Sequence, residues 1–170
     1  MAKTMKAKGE LAKAIETELI ALLEGGHAHA TLEAAVKGFP AELREKVPKG
    51  LPYSAWQIVE HLRIAQRDML EFSDNAEGKY TEKKWPEDYW PKEAAPPSAK
   101  AWETCMGQIH EDRKAFAKLL KDADKAALVR PFAWGKGQSL LKEALQMAVH
   151  NAYHVGVLVL VRRLLGCWLK

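Results

Sequence analysis

Apolar residues recur every three or four positions through four long runs of this chain, and all eight prolines fall outside those runs. A 3.6-residue period free of proline marks an amphipathic helix, and no stretch shows the strict alternation of a half-buried strand. The first run covers about residues 9–24, with Leu11, Ile15, Leu19, Leu22 and Leu23 on its apolar side. Gly25-Gly26 follows, and glycine readily takes the left-handed conformation that ends a helix. The second run starts at Ser54, whose hydroxyl can accept from a free backbone N–H of the first turn. It carries Trp56, Ile58, Val59, Leu62, Ala65, Met69 and Phe72, and ends near Ser73-Asp74-Asn75. The third takes Ser98 as its cap and reaches about Lys121, through Trp102, Cys105, Met106, Ile109, Phe116, Leu119 and Leu120. The fourth follows Gln138, with Ser139 as cap, and ends near Leu165-Gly166.

Between the first two runs the pattern predicts a short helix over 31–37, a second over 40–46, and a proline-rich turn. The expected fold is all-α: a four-helix bundle forming a single domain over residues 1–170. Its unusual element is a long irregular crossover, 75–97, between the second and third helices. A loop of that length is either functional or disordered. Trp85, Tyr89 and Trp90 within it predict a segment packed on the body, because disordered linkers are poor in aromatics.

Hydrophobic residues make up 48% of the chain and charged residues 28%, the balance of a globular domain. The net charge is +4, and basic residues alternate with acids, as in Glu111-Asp112-Arg113-Lys114. Solvated helix faces look like this, whereas nucleic-acid footprints concentrate basic charge, so no nucleic-acid partner is expected. Cys105 and Cys167 lie far apart in no CxxC arrangement, which predicts two free thiols in a reducing, cytoplasmic compartment. The N-terminus has no apolar segment of the signal-peptide kind. The most apolar stretch, 155–160, is soon interrupted by Arg162 and Arg163 and is expected to be too short to cross a membrane.

Chemistry concentrates in the histidines. His150 and His154 stand one turn apart on the fourth helix, in step with Met147, Leu158 and Val161. His61 occupies the second helix in step with Ile58, Ala65 and Phe72. A single histidine on an apolar stripe is ordinarily a hydrogen-bonded core residue. A pair at i, i+4 suits two ligands to one ion, and a third imidazole leaves positions open for water or substrate. Asn151 stands where an HExxH motif would have its glutamate base. Glu60 and Glu143 are candidate partners or bases, and the spacing selects neither.

His27 and His29 follow the first helix and are read either as capping or exposed residues or as contacts near the triad; His110, among charges, is expected to face solvent. Trp56 and Trp102 read as core. Trp85, Trp90 and Trp134 read as loop anchors or as pocket walls.

The runs GGHAHATLEAAVKGFPAELR, GLPYSAWQIVEHLRIAQRDMLEFS, WPEDYWP and HNAYHVGVLVLVRRLLGCW resemble the DinB superfamily of four-helix-bundle proteins, over nearly the whole chain. The resemblance implies a metal triad of one histidine from the second helix and two from an HxxxH on the fourth, matching His61, His150 and His154. It implies a divalent ion, most often nickel or zinc. It also implies a metal-dependent enzyme acting on a small molecule, as a thiol S-transferase or hydrolase, with a low-molecular-weight thiol as a candidate partner. The alternative is a non-catalytic metal- or small-molecule-binding bundle in a stress or damage response. A homodimer is expected, both from the resemblance and because so many apolar helix positions leave one face over.

Overall fold

Four long helices form where the apolar period predicts them. The structure is a computed structural model and describes residues 2–168. Its elements are α1 (Ala2–Glu24), α2 (Leu32–Val36), a 3-10 turn at Ala41–Leu43, α3 (Ala55–Ser73), α4 (Ala101–Asp122) and α5 (Leu140–Leu164). The described residues include no strand, only an isolated bridge between Pro131 and Ser139. α3 packs against α4 and α5, and α1 packs against the same two, so each long helix has two neighbours in a four-helix bundle. The short α2 leans on α5.

Local chemistry explains most of the boundaries. Ser54 and Gln57 make a reciprocal cap: Ser54 Oγ accepts from Gln57 N at 3.2 Å, and Gln57 Oε1 accepts from Ser54 N at 3.1 Å. Thr31 and Ser139 cap α2 and α5 through their hydroxyls. Gly25 and Gly26 both have positive φ, and a Cβ on Gly26 would lie 2.7 Å from Thr31 Cγ2, so the turn out of α1 needs glycine twice over.

Three boundaries differ from the sequence expectation. α1 starts at Ala2, because the alanines and lysines before Gly9 are good helix formers with no breaker among them. α4 is capped by Lys100 without a side-chain bond; Ser98 contributes its carbonyl, to Ala101 N at 3.1 Å, instead of its hydroxyl. The 40–46 segment is only a 3-10 turn, and Arg44 O accepts from Trp56 N at 2.9 Å, which draws the chain directly into α3.

The core is in two apolar clusters. One gathers Leu32, Phe39, Trp56, Leu62, Trp102 and Leu158 among others, and the second gathers Leu19, Met69, Phe116, Leu120, Leu140 and Met147. Buried polar side chains come between them: His61 and Gln66 on α3, Asp112 on α4, His154 on α5. Gln66 Nε2 donates to Ile109 O at 2.6 Å and Gln66 Oε1 accepts from Asn151 Nδ2 at 3.0 Å, which ties three helices at this level. The first helix buries less than its period suggests, since Leu11 and Leu22 are exposed while Leu19 and Leu23 are buried. Cys105 and Cys167 are both free, and the buried Cys105 thiol donates to Val59 O at 3.6 Å.

α5 departs furthest from its sequence reading. Arg162, which reads as an interruption, is 1% exposed. Its guanidinium donates to Ala35 O and Lys37 O at 2.8 and 2.9 Å, carbonyls left free at the end of α2, and twice to Cys167 O. The helix as a whole is 25 residues with a mean hydropathy of 1.4 over its most apolar 18, long and apolar enough to cross a membrane. The expectation that it is too short rested on 155–160 alone. Its inner face enters the core, while Leu145, Val149, Tyr153, Leu160 and Leu164 remain exposed along its outer face.

Candidate metal centre

The crossover runs back along α3, against the direction of the helix. Tyr80 and Tyr89 reach Asp68, Tyr89 O meets His61, Pro91 O accepts from Gln57 Nε2 at 3.1 Å, and Ala94 O accepts from Ser54 Oγ at 2.7 Å. Successive crossover residues thus meet earlier and earlier positions of α3, which holds the segment packed on the bundle as its aromatics predict. Trp90 stacks on the His61 ring, with centroids 3.8 Å apart and planes 2° from parallel, and Tyr53 stacks on Trp90 from the other side at 3.8 Å.

His61, His150 and His154 meet at one point, with one ring nitrogen from each lying within 4.8 Å of the others. Nitrogens bound at about 2.0–2.2 Å to one tetrahedral ion stand about 3.3–3.6 Å apart, so small ring movements suffice to close on an ion. His61 Nε2 lies 3.0 Å from His150 Nε2. The tautomer of His61 follows from its other side: Nδ1 is 2.9 Å from Tyr89 O, and a carbonyl only accepts, so Nδ1 carries the proton and Nε2 turns a lone pair toward the triad. A backbone carbonyl holding the outer nitrogen of a histidine is a recurrent support for a metal ligand.

Electrostatics keep the rings neutral. Burial, with the His61 ring adding to it, lowers His150 to about 4. Burial, with His150 and His61 adding, lowers His154 to about 3. Burial likewise lowers His61, and the Tyr89 carbonyl offsets part of that. Nδ1 of His150 and Nδ1 of His154 are buried without a hydrogen-bond partner among the described residues. A buried polar atom left unpaired is costly. Three neutral imidazoles with converging nitrogens fit a divalent ion.

The other sequence candidates separate clearly. Glu60 is engaged by Arg63 in a two-point ion pair at 2.6 and 2.9 Å. Glu143 is buried two turns from His150, next to the charge of Asp68. Neither carboxylate bonds a triad nitrogen. His27, His29 and His110 are exposed, and His29 Nδ1 meets Ala30 O at 2.8 Å. Trp56 and Trp102 are buried as expected. Trp134 is an anchor, donating from Nε1 to Phe72 O at 2.9 Å, whereas Trp85 is 68% exposed with its ring 6.5 Å from His61. Sequence reading missed the Tyr89 carbonyl, which has no side-chain signature, and the stacking of Trp90, for which the aromatic density of WPEDYWP is the only signal.

A four-helix bundle that gathers one histidine of α3 and an i, i+4 pair of α5 at a buried point is a candidate metal-binding bundle. The chain belongs to the DinB superfamily, whose profile matches residues 26–158, a span that contains all three histidines. No curated protein and no solved structure matches the chain significantly.

Proposed function

We propose that this protein is a metal-dependent enzyme that acts on a small molecule, with His61, His150 and His154 holding one nickel or zinc ion. The observation that carries the reading is the convergence of three neutral imidazoles, one of them locked in its tautomer by Tyr89 O. A divalent ion held by three imidazoles supplies Lewis acidity and lowers the pKa of a bound water or thiol. The chain's own residues hold and orient that ion: Trp90 fixes the His61 plane, and Tyr89 O fixes its proton. Exposed Trp85 is an apolar surface beside the triad against which a substrate can lie.

Transfer of an external low-molecular-weight thiol is the favoured reaction, and hydrolysis is the runner-up. Support comes from the cysteines: Cys105 is buried, bonded to Val59 O and pushed up by burial, so it stays a thiol and offers the ion no competing thiolate. The alternative is a non-catalytic metal-binding bundle. It is favoured by one observation, that among the described residues no carboxylate bonds a triad nitrogen to serve as a base.

The same proposal includes a homodimer in a reducing, cytoplasmic setting. The exposed stripe of Leu145, Val149, Tyr153, Leu160 and Leu164 supports a second copy as the cover of α5, and light scattering tests it.

The test of function is protein loaded with nickel or zinc and supplied with a low-molecular-weight thiol and an electrophile, with ester and amide hydrolysis run in parallel. Thiol consumption that disappears on chelation is the expected result. One bound equivalent of metal with no turnover of either kind leaves the binding reading in its place.

A further inference from the structure

α3 and α5 carry a second pair of polar residues in register with the first. Asp68 lies seven residues after His61 and Glu143 seven before His150, about 10 Å along two antiparallel helices. Asp68 is 7% exposed: Tyr89 and Tyr80 donate to Oδ2 at 2.6 and 3.4 Å, while Oδ1, 3.3 Å from Lys83 Nζ, is buried without a hydrogen-bond partner among the described residues. Glu143 is 5% exposed, and its carboxyl makes no hydrogen bond or ion pair among the described residues. Lys142, its neighbour in sequence, is exposed and forms no ion pair with it.

Both carboxylates line a cavity of about 490 Å³, within the range of small-molecule sites. Phe72, Tyr80 and Trp134 form part of its wall, and Trp134 is held there by its bond to Phe72 O. A buried carboxylate is retained at a cost unless something answers it. Burial raises Glu143, Lys142, which also lines the cavity, offsets part of that, and the Asp68 charge adds to the rise.

We propose that this cavity is a subsite for the primary ammonium group of a small organic molecule, bound between Glu143 and Asp68 against the aromatic wall. An ammonium has three donors and no acceptor, which suits two carboxylates, and aromatic faces attract a cation. An inorganic divalent ion is the poorer occupant. Asp68 Oδ2 is already shared by two phenols, and the one tight cluster of three metal-ligating side chains among the described residues is the histidine triad. As a substrate subsite this deepens the enzyme reading, since Tyr89 touches both levels, its carbonyl on His61 and its phenol on Asp68.

The probe is hexylammonium, with 1-hexanol as its neutral counterpart, titrated into isotope-labelled full-length protein and followed by chemical shifts. Hexylammonium binds at least about tenfold more tightly than hexanol, as expected for hydrogen bonds to a charged partner, and moves signals of Tyr80 and Trp134. Glu143→Gln removes that discrimination. Gln146→Trp, a substitution at an exposed residue on the cavity wall, blocks binding with the circular dichroism unchanged. Equal binding of the two probes to the unmodified protein overturns the proposal without recourse to any variant. So does a second equivalent of divalent metal that Glu143→Gln abolishes. The titration is repeated on His150→Ala: ammonium binding that persists there stands whether or not the triad holds an ion, so the two readings fail separately.

Discussion

The histidine level and the carboxylate level sit on the same two helices in the same register, and they differ in what satisfies their buried polar atoms. At the first, three imidazoles are kept neutral by burial, and their facing nitrogens have only each other. At the second, Asp68 takes two phenols and a lysine, and the Glu143 carboxyl has no hydrogen bond or ion pair among the described residues. Tyr89 serves both levels with different atoms: its backbone carbonyl holds His61, and its side chain holds Asp68. A backbone contact survives side-chain substitution and a phenol does not, so the two levels can be separated by mutation.

The largest effect is expected at the histidine level. His150→Ala should take metal content from one equivalent to almost none by elemental analysis, because two imidazoles hold a divalent ion far less well than three. Far-ultraviolet circular dichroism should stay helical, since the bundle rests on apolar burial in two clusters. Unfolding of the variant would make the ion a structural staple and erase the contrast between a chemical level and a packing level.

Trp90→Ala comes next. It removes the plate between Tyr53 and His61 while leaving every proposed ligand in place. Metal affinity should fall about 10-fold or more, the usual result of losing a ligand's support. Stability should fall by ~2 kcal/mol in urea unfolding, less than for a fully buried tryptophan because Trp90 is only half-buried. Unchanged affinity would show that Tyr89 O alone orients His61.

The metal-free protein should also report the histidine level through pH. His150 and His154 are held down to about 4 and about 3, from an ordinary 6.5 that the unfolded chain retains. The unfolded state therefore binds more protons between those values. Stability is fully present above 6.5 and is lost progressively as pH falls below it, toward 4 and then 3. Urea midpoints measured across that interval check the slope, and His154→Gln should flatten it. A slope that the substitution leaves unchanged would assign the acid sensitivity to the carboxylate level instead.

Tyr89→Phe should have the smallest effect and divides the levels most sharply. It deletes the phenol on Asp68 and keeps the carbonyl on His61, so stability drops by ~1.5 kcal/mol while metal affinity holds. A parallel loss of metal would mean that the crossover moves as one body when its hold on Asp68 is released.

The His150–His154 pair was legible because helical spacing is a local property. His150 and His154 share a face by arithmetic, and their neighbours Met147 and Leu158 turn that face inward. The caps at Ser54 and Ser139 were legible for the same reason. Ser98 misled because a serine before a helix can offer its carbonyl as well as its hydroxyl. Arg162 misled more deeply: a charge in an apolar run ordinarily marks an exposed break, and here four bonds to carbonyls, two at the distant end of α2 and two to Cys167 just past α5, keep it in the core.

By itself, then, the amino-acid order determined the four helices, the all-α class and which helix faces point inward, since period, caps and proline placement act within a few residues. Contacts across the fold decided the rest. Only packing brings His61 to His150, lays Tyr89 O on the outer nitrogen of His61, and leaves Glu143 facing a cavity without a partner. Each of these joins atoms separated by many residues, one of them a backbone carbonyl whose acceptor is the same in every amino acid, so no local pattern could have announced it.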